Sequence, residues 1–431
     1  MQKPNESIVL EETSITHIQE QCLTTPCPIR SILHLSPRLR FSIDSDEFPQ
    51  CILSKFMHLP FHITLKSGGK VEVRVAPPSF NSVSKHSFKG SLVPVYSPYT
   101  VAKTDTRIRS VNFSVLNFDQ FYGTEDKWIN IDEQSRHLGV AKLEADHWRI
   151  EITESLGLNE DRKILKQESA YAVTHTGSIE CKYGEVFSVL EAENLLMGLR
   201  TFLSFAAGAA CGLTLVKAVD ENGTEESLMW GSRHVEPWSE SKHSWLPIND
   251  GGDSLTEAFP KFWELFGREE WNDTIRRAVD WYLNGSSSAI HVGIVLARAA
   301  LESLSFRINQ KKIKPEAEAL RQALGRQGIG CGIPASCGSL KAVAQQEKWT
   351  DGPEAITKMR NEIVHPKRRY ALIPIEAQLD ARNLSLQYIE LMLLKSFQYR
   401  GRYVNRLAAA GESPYENVPW AVKNVGSSIT K

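Results

Sequence analysis

The chain lacks most of the features that assign a protein at sight. Its seven cysteines (Cys22, Cys27, Cys51, Cys181, Cys211, Cys331 and Cys337) form no CxxC pair. An odd, scattered set is not a disulfide framework, and no His stands at ligand spacing from Cys331 or Cys337. Reduced thiols in a cytoplasmic setting are expected, with no metal and no cofactor. The segment MQKPNESIVLEE has no apolar core of the kind a secretory leader needs. Neither charge dominates: 50 Lys and Arg face 51 Asp and Glu, a net charge of −1, so the totals do not mark the molecule as a polyanion binder. The stretch from Leu195 to Val216 has spanning length but carries Arg200 and three glycines. It reads as a buried helix followed by a strand, with no role at a membrane. Ser67-Gly68-Gly69 lacks the Lys-Ser/Thr and the helix of a phosphate-binding loop, and reads as a hairpin turn. No Ser/His/Asp or paired-carboxylate set can be placed.

What is present is an ordinary globular composition, 42% apolar and 23% charged, over 431 residues. That length allows two or three domains with real cores. From about residue 60 the apolar period is two. Ile63 and Leu65 alternate, then Val71, Val73 and Val75, on either side of the turn. Further strands are expected at 107–118, 147–153, 170–180, 212–219 and 226–231, with a helix over 187–210. From 254 the period becomes helical. Helices are predicted at 254–266, 269–284, 315–325, 339–348 and 353–365, and from Pro374 to about 400. Between the second and third of these, Ile290, Ile294, Ala297, Leu301, Leu304 and Ile308 form an amphipathic stripe, with Ser286 to Ser288 as its expected cap. In the last helix Leu379, Leu386, Ile389, Leu393 and Phe397 are expected to face inward. The fold class is therefore α+β: a mostly antiparallel β domain, then an all-α bundle. The layout reads as an N-terminal extension with weak order signals (1–50), a β-rich domain with one buried helix (51–235), a linker (236–253), the bundle (254–405) and a tail (406–431).

Charge is uneven within this layout. Residues 51–110 hold nine Lys/Arg against two Asp/Glu, and residues 354–410 hold ten against five. The second surplus surrounds the run Lys358-Met359-Arg360-Asn361-Glu362-Ile363-Val364-His365. Arginine forks onto phosphate oxygens and stays charged. Histidine titrates near neutrality and serves as base or acid. With an amide to orient one of them, Arg360, Asn361 and His365 hold the residue types that RNA cleavage by 2′-OH attack needs without a metal. Spacing alone is weak: roughly two Arg-to-His pairs at such distances arise by chance in a chain of this composition. On a continuous helix Asn361 and His365 share a face, while Arg360 lies about 140° from His365. One copy of such a helix does not aim both at one phosphorus, whereas fraying before Pro366 or a second copy across a two-fold axis does.

The context adds to the motif. R-N-E-I-V-H resembles the signature of the HEPN superfamily of helical bundles: Arg, four to six residues, then His, with Asn often directly after the Arg. The helix reading Leu296-Ala297-Arg298-Ala299-Ala300-Leu301-Glu302 is similar to the Arg-x-x-Leu-Glu helix of several HEPN branches. A β-rich domain ahead of the bundle, with Leu199 to Phe205 before a Gly-rich turn, is similar to the ApeA-like group. The resemblance covers about residues 255–405. It implies a homodimer through the C-terminal bundle and a metal-independent endoribonuclease acting in phage defence or as a toxin. The substrate would be RNA, tRNA among the candidates, and an antitoxin or a phage trigger would be a partner. Carried onto this chain, Arg360 would polarise the phosphate, His365 would be base or acid, and Asn361 would orient one of them. Arg298 and Glu302 would support the motif from behind, and Lys367, Arg368 and Arg369 would hold the RNA backbone. The alternative is a non-catalytic bundle that binds a nucleotide, RNA or a protein partner. Trp238 and Trp245 can be read as base-stacking platforms or as pins between domains.

Overall fold

The computed structural model describes residues 3–18, 21–34, 38–45, 59–65, 70–75, 82–83, 88–96, 98–102, 105–131, 134–239, 242–365, 373–409 and 411–421. The turn at Ser67-Gly68-Gly69 lies outside these residues. The chain divides into two compact units: Met1–Gln120, His147–Arg200 and Ala210–Glu240 form one, and Phe121–Asp146, Thr201–Ala209 and Ser241–Lys431 the other. The architecture is α+β, with antiparallel sheets before a helical C-terminal region.

The first unit begins with β1 (Ser7–Ile18), β2 (Gln21–His34), β3 (Arg38–Ser45), β4 (Phe61–Leu65), β5 (Lys70–Val75), β6 (Ser82–Val83) and β7 (Phe88–Pro94). They pair antiparallel in the order β3-β2-β1-β4-β5-β7-β6, and β3 also pairs with β7, so six strands close into a barrel. Closure removes the free edges of that ring. Its interior is packed: Phe61, Ile63 and Leu65 alternate inward on β4 and Val71, Val73 and Val75 on β5, beside Ile15, Ile29 and Phe41. Residues 7–45, whose sequence shows only weak order signals, thus supply three of the barrel strands. Pro26, Pro28 and polar runs break their alternation, and pairing along both edges supplies what the local pattern does not.

Along the chain follow β8 (Tyr99–Thr100), β9 (Arg107–Leu116), β10 (Lys127–Ile131), β11 (Gln134–Leu138), β12 (Val140–Ala145), β13 (Trp148–Glu154), α1 (Leu158–Glu168), β14 (Val173–Cys181), β15 (Phe187–Ser188), α2 (Val189–Ala207), β16 (Gly212–Asp220) and β17 (Glu225–Trp230). Within the first unit β13, β14, β9, β16, β17 and β8 pair in that order as a second antiparallel sheet, with β15 on β9. The strands expected from period two are all here. The helix α1 is not predicted by periodicity, because it buries only Leu158 and Leu165, too sparse a stripe to read. Trp230 on β17 enters the barrel cluster and meets Phe41 at 6.1 Å between ring centroids. Among the described residues no helix is long and apolar enough to cross a membrane.

The second unit is mainly helical: α3 (Gly251–Phe266), α4 (Glu269–Ser287), α5 (Ile290–Asn309), α6 (Glu316–Arg326), α7 (Gly338–Glu347), α8 (Gly352–Val364) and α9 (Ile375–Ser396), then the hairpin β18 (Arg402–Val404) and β19 (Tyr415–Asn417). The hairpin's first strand lies at the end of the segment read as the bundle and its second in the segment read as the tail; three-residue strands are too short to show a period. The predicted helices are present, each within a few residues. The expected cap is not: α4 runs on to Ser287, Ser288 is its C-cap, and the N-cap of α5 is Ala289, which makes no side-chain cap bond. The α5 stripe forms the core, with Ile294, Ala297, Leu301 and Leu304 fully buried. This helix packs against α4, α6, α8 and α9. At the α4–α5 crossing a Cβ on Gly293 would run into the Gly285 carbonyl oxygen, so the glycines set the approach. On α9 Leu386, Ile389, Leu393 and the following Phe397 are buried as expected, but Leu379 is 37% exposed. The first turns of α9 pack on fewer neighbours than its middle, where the buried run is continuous.

Candidate functional site

The helix that carries the motif is fixed firmly at its start. Asp351 is its N-cap, and the side chain accepts from the Glu354 amide at 3.0 Å. Glu354 reaches back to the Thr350 amide at 2.9 Å, a reciprocal capping arrangement. Arg321 on α6 grips the same Asp351, Nε to Oδ2 at 2.6 Å and Nη2 to Oδ1 at 3.2 Å. Gly352 donates to the Cys331 carbonyl at 2.8 Å, and an added Cβ would lie 2.5 Å from the Tyr388 hydroxyl. The glycine-rich segment between α6 and α7 therefore buttresses the motif helix. Ala355, Ile356 and Met359 bury its inner face.

At the other end α8 stops at Val364. The backbone of His365 has φ −121° and ψ 70°, outside the helical region, while its amide still donates to the Asn361 carbonyl at 2.9 Å. A residue before proline is pushed out of the α region, and Pro366 follows. The 140° separation of a continuous helix thus does not hold at His365. The His365 side chain is exposed and that of Arg360 half-buried. Arg360 Nη1 donates to the Asn361 side-chain oxygen at 3.2 Å, which gives the amide a positioning contact with the guanidinium. Among the described residues no hydrogen bond or ion pair links the His365 imidazole to Arg360 or Asn361. Lys367, Arg368 and Arg369 lie outside the described residues.

Behind the motif, on α5, Arg298 is 4% exposed. Burial lowers its pKa from the usual guanidinium value, Glu302 and Glu316 pull it up again, and Arg360 lowers it further. Arg298 and Arg360 are thus close enough to repel. Glu302 is exposed and acts on Arg298 through its field, without a contact-distance ion pair among the described residues. Two acidic groups enter that the motif reading passes over. Glu316 opens α6 and faces Arg298 electrostatically. Glu362, inside the motif itself, has a buried Oε2 without a hydrogen-bond partner. Its place in R-N-E-I-V-H was the one signal available for it.

The Trp readings are decided. Trp238 is buried with Leu165, Ala170 and Ala172 inside the first unit. Trp245 is fully buried against Phe205 and Tyr399 inside the second. Neither ring face is open to a base. Among the described residues no group of three or more His, Cys, Asp or Glu is placed to hold a metal ion. Burial pushes the Cys337 thiol up to about 12, so it is not a nucleophile at neutral pH.

Comparison with known proteins finds similarity in two segments of the chain. Residues 103–241 match the family described as the YopA central domain, and residues 268–416 match the YopA C-terminal domain. The chain is 28% identical over 343 residues to the SPbeta prophage-derived uncharacterized protein YopA of Bacillus subtilis (strain 168), covering 75% of each. No solved structure matches.

Proposed function

We propose that the helical unit is a metal-independent endoribonuclease of the HEPN type. The observation that carries this reading is the exit of α8. There Arg360 is oriented by Asn361, and His365, the residue after the last helical one, carries an exposed imidazole. The guanidinium would hold and polarise a backbone phosphate. The imidazole would take the proton from the 2′-OH or deliver one to the leaving 5′-oxygen. Cleavage would then leave a 2′,3′-cyclic phosphate.

The resemblance implies a site built from two copies of the chain, each copy completing the other's pair. Exposed apolar side chains lie within the motif, Val364, and after it in sequence, Ile375 and Leu379, and are suited to such an interface. A relative described as prophage-derived is in keeping with a role in conflict between phage and host. The test is cleavage of RNA by the purified protein in EDTA. His365→Ala is expected to lower the rate by at least 100-fold, the loss of a general acid–base group, with an unchanged oligomeric state. Loss of cleavage in EDTA, or full activity of His365→Ala, would overturn the proposal.

A further inference from the structure

A second site lies in the first unit, at a cavity of about 400 Å³ lined by α2 and the strands β16, β17 and β8. Small-molecule pockets occupy roughly 300–1,000 Å³. Strand register gives its floor. Val216 pairs with Met229, and Met229 pairs with Thr100, so the three form a row across β16, β17 and β8 on one face of the sheet. All three line the cavity. The Thr100 hydroxyl donates to the Glu193 carboxylate, which ties α2 to that row. Glu193, Leu196, Met197 and Arg200 recur at three- and four-residue spacing, so one face of α2 forms the wall.

A strained residue shapes the floor. Leu215 has φ 51°, in the left-handed region that a leucine seldom enters. It sits in a bulge: Thr214 pairs with Ser114 and Lys217 with Asn112, so two residues of β16 face one of β9. In a regular strand residues three apart lie on opposite faces. The bulge cancels that alternation and puts both Leu213 and Val216 on the cavity. Strain of this kind persists only where the surroundings hold it, and it gathers at binding sites.

The cavity is also polarised. Arg200 Nη2 donates to the His234 carbonyl at 2.8 Å, and Arg233, the residue before that His, lines the cavity as well. The chain at 233–234 thus brings a second guanidinium to the Arg200 end. Arg233 is exposed, and its side chain makes no hydrogen bond or ion pair among the described residues. From Arg200 back to Glu193 is seven residues of helix, ~10 Å. Glu193 is the one carboxylate of the lining, and Thr100 engages it. Leu196, Met197, Leu213, Val216 and Met229 make the rest of the lining mainly aliphatic.

We infer that this cavity binds a free carboxylate bearing an aliphatic chain of medium length. The carboxylate forks onto Arg200 with Arg233 beside it, and the chain covers the Leu, Val and Met side chains. Two cations against one engaged carboxylate disfavour an amine, and the aliphatic lining disfavours a small hydrophilic anion. Nothing in this depends on the proposed cleavage, which belongs to the other unit.

The experiment is calorimetric titration of the full chain with octanoate, octanol, octylamine and acetate, each below its solubility limit. Octanoate is expected to bind roughly ten-fold tighter than octanol or octylamine, the worth of a charge-assisted hydrogen bond, and acetate to give no signal. Arg200→Met is expected to weaken octanoate roughly ten-fold and to leave octanol unchanged. Arg233→Ala, at an exposed and unpaired side chain, gives a second reading should Arg200→Met not fold, with a several-fold loss. Met229→Trp fills the floor and is expected to abolish binding of octanoate and octanol alike. Absence of octanoate binding at millimolar concentration overturns the inference, as does octanol bound as tightly as octanoate. So does wild-type octanoate affinity in whichever arginine variants fold, or in a folded Met229→Trp.

Discussion

At the residue scale the motif gains meaning from a single backbone departure. A continuous helix keeps Arg360 and His365 on different faces. The φ and ψ of His365 release it from that constraint, and Pro366 gives the steric cause. Asn361 is the residue whose role is most exposed to test. Its oxygen takes a hydrogen bond from Arg360, so Asn361→Ala frees the guanidinium without removing it. Cleavage in EDTA is expected to fall by about ten-fold, the worth of one charge-assisted hydrogen bond. Arg360→Lys is expected to cost more, because an ammonium cannot fork onto two phosphate oxygens. Equal losses for the two variants would argue that Arg360 serves as a point charge. A second residue-scale case is Gly293. Its Cβ would meet the Gly285 carbonyl oxygen, and Gly293→Ala is expected to lower stability by about 2 kcal/mol, as overpacking does. The shift in the urea midpoint at constant slope checks it.

At the scale of elements the motif helix shows a division of labour. Its first turn is overdetermined by Asp351, Glu354 and Arg321, while its last turn ends in a half-buried and then exposed pair of residues. Rigid anchoring at one end lets the other, where the site is proposed, keep polar groups that contribute little to folding. Asp351→Ala removes the cap and the two-pronged contact with Arg321, and is expected to cost about 1–2 kcal/mol. If α8 positions the motif, the same variant also lowers cleavage well below the fraction unfolded. Loss of stability with undiminished activity of the folded protein would separate the cap from the site. Much of this was legible in advance. Pro353 and Pro374 mark helix starts, and the Leu and Ile spacings mark the buried faces. The short α1 and the three N-terminal strands were not, because two apolar residues or a broken alternation set no period. Their order comes from partners distant in the chain.

At the scale of the helical unit, a buried polar network joins four distant segments. Tyr282 donates to Glu390 at 2.6 Å, and Arg406 bonds the same carboxylate through Nε at 3.1 Å and Nη2 at 2.6 Å. Glu390 and Tyr282 are fully buried, and His243 Nε2 lies 3.9 Å from Glu390. Burial works against charge on Arg406, but Glu390 and Tyr282 outweigh it and raise its pKa. For His243 burial outweighs the attraction of Glu390, Arg406 adds to the depression, and its pKa falls to about 4. The folded-state value is below the unfolded one, about 6.5. The neutral imidazole therefore contributes its full stability above about pH 6.5. That contribution declines as pH falls to about 4, since only the unfolded chain takes up the proton in this window. The total is about 3 kcal/mol, from 1.36 kcal/mol per unit. Urea midpoints between pH 4 and 7.5 read it, and His243→Gln is expected to flatten the slope; an unchanged slope would assign it to other groups. The two-copy site has its own test at this scale. A mixture of inactive Arg360→Ala and His365→Ala chains is expected to recover cleavage after subunit exchange, which a site within one copy cannot do.

The sequence by itself determined the α+β class, the helical unit and most of its buried faces, because period and punctuation are local properties of the chain. It also located Arg360, Asn361 and His365 next to one another. Closure of the barrel, the place of residues 121–146 with the helices, and the burial of Trp238 and Trp245 were decided only by tertiary structure. So were the company of Arg298 with Glu316, and the meeting of His243 with Glu390. Each depends on which distant residues become neighbours, and a side chain's exposure, field and unmet hydrogen bonds exist only once those neighbours are in place.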